Sequence, residues 1–505
     1  MKPDSLTPRG KEIELKLALL VSDPSGLAKR LARLAPLARR KATHLRMHNV
    51  YYDTPGKILR QSRVALRLRR IDSGTKPQWR QILKMAGQGD SALSRRDEWE
   101  VSVPGAALAL QGLQGTPWSQ IDPDGGVFRA LEPCFVTTFE RTSWLVRRRD
   151  GSAVEVALDV GHITAGDKTT PIGELELELL AGRPEALFDM AQKIAGAVAV
   201  LPANTSKAER GYALVQDAVD SPIRSRPAVL SSRLSLPQAA QQVLCETFGQ
   251  FTANLNALRT SDDPEVVHQA RVGWRRFKSA WRLFRPSLGG DTAPSWEPLR
   301  LLMTCLGELR DLDVARVETL APLAEAYAEA DERRAQEWQA LTAAMLHAAN
   351  IKRKEVRYAL QVPAVGATLL ATAQWLEGMS VPKMTSTAEN EQQAIPLPRW
   401  AKRRMVRLHK QLKIALKQDD TADNRHRVRI LSKRMRYGIE ALRALLPKKR
   451  AKRWYQQAIQ LQTTLGISRD VLQASVLASR LETGPGPVEF LRGVALGLER
   501  AECHR

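Results

Sequence analysis

The stretch GELELELL (173–180) alternates acidic and aliphatic residues without a break. Successive side chains of a β-strand point to opposite faces, so Glu174, Glu176 and Glu178 share one face and the leucines between them share the other. Three carboxylates about 7 Å apart on one face repel each other, which is costly unless a cation lies among them. The stretch therefore predicts a strand with a cation-binding polar face and an apolar face that must be covered.

Similar period-two runs recur through the first 214 residues, at 11–20, 64–70, 79–84, 97–103 and 154–163, with helices predicted at 25–40 and 184–198. Their polar faces are almost purely ionic and are sorted into acidic and basic strands. An ordinary sheet with one wet face is the alternative for any single strand. The whole set favours a barrel whose ionic side chains point inward and whose continuously aliphatic outside is clad in helices. Its lumen would hold an anion on Arg and Lys, and Mg²⁺ on carboxylates, with Mn²⁺ as the alternative, because hard oxygen ligands favour these ions over zinc.

The opening ExExK, formed by Glu12, Glu14 and Lys16, resembles the signature of the CYTH domain, the family also called triphosphate tunnel metalloenzymes. The resemblance covers residues 9–215, and its further pieces occur in the same order. They are YYDTP (51–55), ALRLR (65–69), LKMAG (83–87), SRRDEWE (94–100), Glu140-Arg141, the strand with Asp159, GELELEL (173–179) and SKAERGYAL (206–214).

The resemblance implies an eight-stranded antiparallel tunnel that hydrolyses or cyclises triphosphates with a divalent metal. It implies that the metal ligands are carboxylates: Glu12, Glu14, Asp159, Glu174, Glu176 and Glu178. It assigns the phosphate-binding role to cations: Lys16, Arg67, Arg69, Lys84, Arg96, Arg141 and Lys207. It assigns catalysis to Glu12, Glu14, Lys16, Arg67, Arg69 and Lys84. Each of these could instead be a surface charge or an ion-pair partner, and Tyr51, Asp53 and Tyr212 are assigned to packing and turns.

The sequence contains no arrangement typical of covalent catalysis and no Walker loop. The resemblance implies an in-line attack by water, activated by one carboxylate or by the metal itself, with basic strands neutralising the charge of the leaving group. Which glutamate acts as the base is left open.

After residue 237 the strand patterns give way to long stretches with a 3.6-residue period, which predict an all-helical region. HQARVGWRRFKSAWRLF from His268 and HRVRILSKRMRYGIEAL from His426 align without gaps. In a helix the histidine and the residues at +3, +7 and +10 fall within about 80°. Both copies therefore present a histidine and cations on one face: His268, Arg271, Arg275 and Lys278 in the first, and His426, Arg429, Lys433 and Arg436 in the second.

A second repeated pair, LGELRD (306–311) and LGISRD (465–470), follows downstream. These repeats resemble the CHAD domain, a conserved-histidine helical domain often found behind CYTH domains. The resemblance covers about 235–505 and implies a duplicated helical bundle that binds polyphosphate through the two histidine-led faces. The second copy departs from the first at Glu440, where Arg282 stands in the first, and at Leu472 in place of Asp313. We therefore expect the two halves to contribute unequally.

The formal charge of +23 predicts an anionic partner, and its distribution points to the helical half. Residues 1–220 carry 32 basic and 26 acidic side chains, whereas the remaining residues carry 45 and 28. Aromatic residues make up only 5% of the chain and no nucleic-acid-binding motif is recognised, so nucleic acid is not the expected partner. The expected partners are inorganic triphosphate and polyphosphate. The oligomeric state is left open.

Four widely spaced cysteines, no membrane-spanning apolar run and no signal peptide predict a protein of the reducing cytoplasm, with no membrane partner and a possible place at polyphosphate granules. The predicted architecture is α+β and multidomain. The predicted order is a tunnel domain (1–218), a Pro/Ser-rich linker (219–236) and a helical domain (237–505). A break at 381–398 divides the helical domain into two repeats, at about 237–380 and 398–505.

The leading functional hypothesis is an inorganic triphosphatase whose helical domain binds polyphosphate. Thiamine triphosphatase and adenylate cyclase are the alternatives on the same fold. A non-catalytic polyphosphate-binding protein is the alternative from another class.

Overall fold

A computed structural model describes residues 8–20, 26–74, 76–85, 87, 92–288, 293–379, 395–419, 421–464, 467–481 and 483–503. Two compact units divide the chain. Unit 1 contains the residues up to Ser221 together with Leu255–Ser261 and Leu360–Gln374. Unit 2 contains Pro222–Asn254, Asp262–Ala359 and Trp375–Arg505. The sequence placed both short helical segments of unit 1 in the helical half, and its domain boundaries stay a prediction.

Unit 1 is built on antiparallel strands, the first of which begins at Pro8 and the last of which ends at Ala203. The strands are β1 (Pro8–Leu19), β2 (Ala42–Asp53), β3 (Val64–Asp72), β4 (Gln78–Met85), β5 (Leu93–Val103), β6 (Glu132–Arg147), β7 (Ala153–Ala165), β8 (Lys168–Ala181) and β9 (Val200–Ala203). The helices are α1 (Leu27–Ala32), α2 (Ile58–Gln61), α3 (Trp118–Ile121), α4 (Gly126–Arg129), α5 (Glu185–Ala195) and α6 (Lys207–Val215), with a 3₁₀ turn at Leu110–Leu113.

The strand order is β5-β4-β3-β2-β6-β7-β8-β1, and a pairing between β1 and β5 closes the ring. The predicted eight-stranded barrel is confirmed, and the short β9 adds to β1 beside Lys16–Leu19. In this closed order β3 lies four strands from β8 in either direction. The basic strand β3 therefore stands across the lumen from the acidic strand β8.

Helices cover most of the aliphatic outside of the barrel. Leu17, Leu175 and Leu177 have no exposed surface, and α5 packs on their strands β1 and β8. The short helices between β5 and β6 supply Leu113 and Trp118 to a cluster on β3 and β4.

The outside is not aliphatic throughout, which differs from the sequence expectation. On β2 and β6 it carries polar pairs, His44 with Thr142 and His48 with Thr138, each 3.1 Å apart. The predicted helix at 25–40 also shortens to Leu27–Ala32. Pro36 accounts for the early end, because proline has no amide hydrogen to bond the carbonyl four residues back, that of Ala32, and its ring clashes with that carbonyl.

Unit 2 is all-helical within the described residues, as predicted, and its helices α7 and α12 extend into the segments assigned to unit 1. The helices are α7 (Leu236–Ala257), α8 (Pro264–Phe284), α9 (Arg300–Val314), α10 (Ala321–Ala328), α11 (Glu332–Leu360), α12 (Pro363–Gly378), α13 (Leu397–Ala415), α14 (Ala422–Leu442), α15 (Lys448–Thr464), α16 (Ile467–Ser479) and α17 (Pro485–Cys503). A π-helical turn at Ala315–Leu320 joins α9 to α10, and 3₁₀ turns lie at Arg285–Ser287, Glu297–Leu299 and Arg443–Leu445.

The two histidine-led segments form α8 and α14, and both helices begin at a capping side chain. Asp263 accepts a hydrogen bond from the Glu265 amide at 2.8 Å, and Thr421 accepts one from the Asn424 amide at 3.2 Å. Such caps satisfy amide groups that the first helical turn leaves unpaired. Phe277 and Phe284 are fully buried on the apolar face of α8.

The predicted linker is extended and is fastened to α7. Asn254 exchanges hydrogen bonds with the backbone of Ile223 at 3.0 and 2.9 Å, and Glu246 accepts one from the Arg226 amide at 3.1 Å. Residues 381–394 of the predicted break, and Leu465 and Gly466 of the second LGxxRD segment, lie outside the described residues.

Candidate functional site

Three carboxylates of adjacent strands converge inside the barrel. Asp159 on β7 and Glu174 and Glu176 on β8 each offer an oxygen, and these oxygens lie within 4.8 Å of one another. Asp159 is fully buried and Glu174 is 4% exposed. The register pairs Asp159 directly with Glu174, and the two-residue period of β8 brings Glu176 to the same face.

Two lysines neutralise this carboxylate group. The Lys207 ammonium lies 2.6 Å from Asp159, 2.5 Å from Glu174 and 2.9 Å from Glu176. Lys207 begins α6, where Ser206 and Glu209 form a capping box. Lys16 of β1 lies 2.9 Å from Glu176 and 3.4 Å from Glu174.

The lysines keep the carboxylates ionised. Burial alone would raise the pKa of Glu174, but Lys16 and Lys207 lower it to about 2. The same charges hold the pKa of Glu176 well below its ordinary value against the effect of burial. Burial would lower the lysine pKa values, yet the carboxylates raise the pKa of both Lys16 and Lys207. Glu174 and Glu176 are therefore charged oxygen ligands at neutral pH.

Of the six predicted metal ligands, this group brings together Asp159, Glu174 and Glu176. Glu14 points into the lumen and pairs with Arg96, while Glu12 accepts from Lys84 at 2.9 Å. Glu178 lies half-buried on the same strand face, beyond Glu176. The described residues hold no other three-member group of this kind.

Arg67 and Arg69 of β3 form the opposite, basic wall. Arg67 donates to the Tyr51 hydroxyl at 3.0 Å and lies 3.9 Å from Glu98. Burial would lower the pKa of Arg67, but the charges of Tyr51 and Glu98 raise it. Arg69 donates to the Asn49 amide oxygen at 2.9 Å, and burial together with Arg67 and Arg141 lowers its pKa to about 10. A guanidinium whose charge is this poorly compensated is suited to bind an anion.

The other predicted phosphate ligands also face the lumen. Arg141 of β6 donates to Asp159 at 2.7 and 2.6 Å and to Glu176 at 2.5 Å. Burial would lower its pKa, yet these carboxylates raise it well above the ordinary value. Lys84 lies 2.9 Å from both Glu12 and Glu98, so it bridges β1 and β5.

Sequence reasoning missed three lumen residues. Glu98 is 4% exposed between Lys84 and Arg67, although the strand pattern had already placed it on the polar face of β5. Asn49 orients Arg69, and Tyr51 orients Arg67. The alternation of β2 could have placed Asn49 and Tyr51 on one face, but their partners could not be read from it.

Asp53 and Tyr212 do serve packing and turns, as predicted. Fully buried Asp53 accepts from the Leu59 amide at 2.9 Å, the Arg60 amide at 3.1 Å and the Tyr212 hydroxyl at 2.7 Å. Phe135 stacks on Tyr51 and meets the edge of Tyr212.

A divalent metal fits the carboxylate group by its chemistry. Three carboxylates without nitrogen or sulfur donors suit Mg²⁺ or Mn²⁺ and disfavour zinc. Lys207 contacts all three carboxylates, and Lys16 contacts Glu174 and Glu176. These contacts indicate that the carboxylate group attracts positive charge, as a metal site does.

In unit 2 the cations of the two repeats meet. Arg275 of α8 lies close enough to Arg429 and Lys433 of α14 that its charge lowers their pKa values. Burial is the largest cause of both shifts, and burial together with Arg429, Arg275, Arg469 and Arg436 brings the pKa of Lys433 to about 8. We call this set the composite basic surface: Arg271, Arg275, Arg310, Arg429, Lys433, Arg436 and Arg469.

The LGxxRD segments contribute the carboxylates of this surface. Burial raises the pKa of Asp311 and of Asp470, although Arg271 and Arg429, respectively, oppose that rise. His268 is half-buried, and burial and Arg310 lower its pKa. The geometry thus joins the predicted faces of both repeats around arginines that the sequence had not included, Arg310 and Arg469.

The remaining predicted residues are placed less centrally. Lys278 lies 4.9 Å above the Trp296 ring and 5.7 Å above the Trp274 ring. His426 is exposed and lines a groove with Arg427 and Arg434.

The departures between the repeats have structural reasons. Glu440 lies 3.7 Å from Arg276 and 3.6 Å from Arg436, so it bridges α8 and α14. Asp313 is 1% exposed beside Arg353, at 3.5 Å, whereas Leu472 is 51% exposed. The two copies therefore differ in structure at these positions, and their unequal contribution to binding stays a prediction.

Two family models match the chain. A CYTH domain matches residues 10–212, and a CHAD domain matches residues 242–479. An inorganic triphosphatase of Haemophilus influenzae is 35% identical over 209 residues, a match that covers 40% of this chain and 55% of that protein. The chain thus spans about half the length of this curated relative.

Solved structures resemble each half separately. The CHAD domain of the plant Ricinus communis is 27% identical, with 56% of this chain and 96% of that one covered and a TM-score of 0.45. The PH1819 protein of Pyrococcus horikoshii is 15% identical, with 39% and 96% covered and a TM-score of 0.26. The assignment of the two domains depends on the family models and on the closed strand order.

Proposed function

Since the chain consists of a CYTH domain followed by a CHAD domain, we propose that its tunnel hydrolyses inorganic triphosphate to pyrophosphate and phosphate with a divalent metal ion. One observation carries this proposal. The carboxylates of Asp159, Glu174 and Glu176 lie within 4.8 Å of one another on one wall of the lumen. The opposite wall carries Arg69, whose pKa is lowered to about 10. Such a lumen offers a metal and a polyanion opposite walls at the same time.

Asp159, Glu174 and Glu176 would hold the metal. When bound, Mg²⁺ would withdraw charge from phosphate oxygens and favour attack by water. The pKa of Glu174 is about 2 and that of Glu176 lies well below its ordinary value, so both carboxylates accept a proton poorly and suit metal binding better than general-base catalysis. Arg67, Arg69, Lys84, Arg96 and Arg141 would orient the phosphate chain and stabilise charge that develops on the leaving pyrophosphate.

The tunnel is tested by phosphate release from tripolyphosphate, thiamine triphosphate and ATP, each with Mg²⁺ and with EDTA. We expect the highest kcat/KM for tripolyphosphate and loss of turnover in EDTA. A preference for thiamine triphosphate, or cyclic nucleotide formation from ATP, would replace the proposed substrate. Turnover that EDTA leaves unchanged would contradict the metal role.

We also propose that the composite basic surface binds polyphosphate. Its support is the convergence of seven cations from both repeats, which outnumber the carboxylates beside them, Asp311, Glu318, Glu440 and Asp470. Because phosphate contacts release counterions, affinity should fall steeply with salt, by analogy with nucleic acids. Arg271→Glu and Arg429→Glu should each weaken binding, whereas Lys354→Glu, at an exposed position of α11, should not. A location in the cytoplasm, at polyphosphate granules, belongs to this proposal.

A further inference from the structure

Two helices of unit 2 carry positive charge without any negative charge. Helix α13 has seven Lys or Arg residues, α15 has five, and neither contains Asp or Glu. Within the part of the chain that the structure describes, none of these twelve cations forms an ion pair with a carboxylate. Like charges gathered in this way cost stability, so an external anion is the natural counterpart.

Five of the seven cations of α13 lie on one side of the helix. Arg399, Lys402, Arg403, Lys410 and Lys413 are exposed, and at 100° per residue they fall within about 100°. The opposite side is apolar, because Ala401, Met405 and Leu412 are buried. The charges of α13 thus form a face rather than a scatter.

Helix α15 extends this face. The His409 ring of α13 stacks on Trp454 of α15 at 4.7 Å, and Arg450 lies 5.7 Å above the Trp454 ring. Burial lowers the pKa of His409, and Lys413, Arg453 and Arg450 lower it further. Cations from both helices therefore surround one histidine, and we call the exposed faces of α13 and α15 the outer basic surface.

The aromatic rings here are covered. Trp454 is 5% exposed and lies under His409, while Trp400 stacks on Phe284 at 5.1 Å and donates to Ser287 at 3.0 Å. Single-stranded nucleic acids depend on exposed aromatic faces for stacking. The surface therefore offers contacts to phosphate groups and few to bases.

A groove lies between α13 and α14. It has a volume of about 350 Å³ and is lined by Gln411 of α13 and, on α14, by His426, Arg427 and Arg434 together with the acidic Asp423. Helix α14 packs against both α13 and α15 and also carries Arg429, Lys433 and Arg436 of the composite basic surface. One helix therefore separates the two basic surfaces.

We propose that the outer basic surface is a second contact for inorganic polyphosphate, reached only by chains long enough to extend past α14 from the composite basic surface. The inference rests on the proposed polyphosphate binding at the composite basic surface. Long chains engage both surfaces, so their affinity exceeds that of short chains through effective concentration. The surface thereby selects for chain length.

The test compares full-length variants in titrations with long-chain polyphosphate at several salt concentrations. One variant combines Lys402→Gln, Lys410→Gln, Lys413→Gln and Arg453→Gln. A matched control removes four exposed cations of unit 1: Lys29→Gln, Arg33→Gln, Arg39→Gln and Lys41→Gln. By analogy with single-stranded nucleic acids, the first variant should reduce the slope of log affinity against log salt concentration by about 3. It should also weaken polyphosphate binding by about tenfold or more. The control should bind as the parent does.

Arg429→Glu separates this inference from the proposed function. If Arg429→Glu weakens binding while the α13/α15 variant binds like its control, the outer basic surface is only solvated and the inference is overturned. If Arg429→Glu has no effect, the proposed role of the composite surface fails. Two results would overturn polyphosphate as the partner. One is that duplex DNA displaces bound polyphosphate at a phosphate concentration below that of the polyphosphate. The other is that the parent protein binds anionic lipid vesicles and the α13/α15 variant does not. A circular dichroism melt shows that each variant is folded.

Discussion

Arg69 and Arg141 both face the lumen, yet their removal should change stability in opposite directions. A pKa of about 10 in place of the ordinary 12.5 means that holding Arg69 charged costs about 3 kcal/mol in the folded state. Arg69→Met keeps most of the aliphatic length and loses about 1 kcal/mol for the hydrogen bond to Asn49. We therefore expect a gain of roughly 2 kcal/mol, which raises Tm by roughly 4–8 °C for a unit of this size.

Arg141 is the matched control. It pairs with Asp159 and Glu176, and its pKa is raised, so Arg141→Met leaves buried carboxylates less compensated. Breaking a buried ion pair by removing one partner costs about 3–5 kcal/mol, and Tm should fall. Both variants should lose turnover on tripolyphosphate, by about 100-fold, because each removes a cation that stabilises developing charge.

The measurements are Tm without metal or phosphate, and phosphate release at saturating Mg²⁺. A lower Tm for Arg69→Met would refute the reasoning about its uncompensated charge. A higher Tm with unchanged turnover would show that Arg69 does not contact the substrate.

The other predictions concern the metal, the unit boundary and pH. Glu176→Ala, which removes a proposed metal ligand, should cut turnover by about 100-fold, and Glu12→Ala should lower turnover because Lys84 loses a partner at 2.9 Å. Glu140→Ala, at an exposed position of β6, should leave turnover unchanged, and unchanged activity in the folded Glu176→Ala variant would contradict the metal assignment. A fragment ending at Ser221 should retain turnover but melt at a lower temperature than unit 1 in the full chain, because it lacks Arg259, which donates to the Leu19 carbonyl at 2.6 Å. A soluble but inactive fragment would show that the tunnel needs the segments Leu255–Ser261 and Leu360–Gln374. Polyphosphate affinity should fall between pH 7 and 9, as Lys433, with its pKa lowered to about 8, loses its proton, and Lys433→Arg should flatten this profile; an unchanged profile would exclude Lys433 from the contact.

Local alternation predicted the strands that have one aliphatic and one ionic face, and it failed where both faces are mixed. β2 and β6 escaped it because His44, His48, Thr138 and Thr142 make hydrogen-bonded pairs on an outer face that no aliphatic stripe marks. Alternation also predicted which charges share a strand face, including Glu174 and Glu176. It could not tell that Lys207, from a helix 31 residues beyond Glu176, enters the same carboxylate group.

Which residues face each other across the lumen depends on the order of the strands in the barrel, and local sequence patterns do not specify that order. Arg69 can be recognised as uncompensated only when β3 is known to stand opposite β8. In unit 2 the repeat predicted the faces of α8 and α14, but Glu440 shows how a departure from the repeat can be a contact between copies.

The closure of the ring by β1 has a consequence for how the protein would fail. One side of β1 pairs with β5 over residues 8–15 and with β9 over residues 16–19, while its other side pairs with β8. Without β1, the long strands β5 and β8 would each present unpaired backbone groups, which act as templates for strand addition between molecules. Substitutions that weaken β1 should therefore promote aggregation of the protein before they alter the chemistry of its lumen.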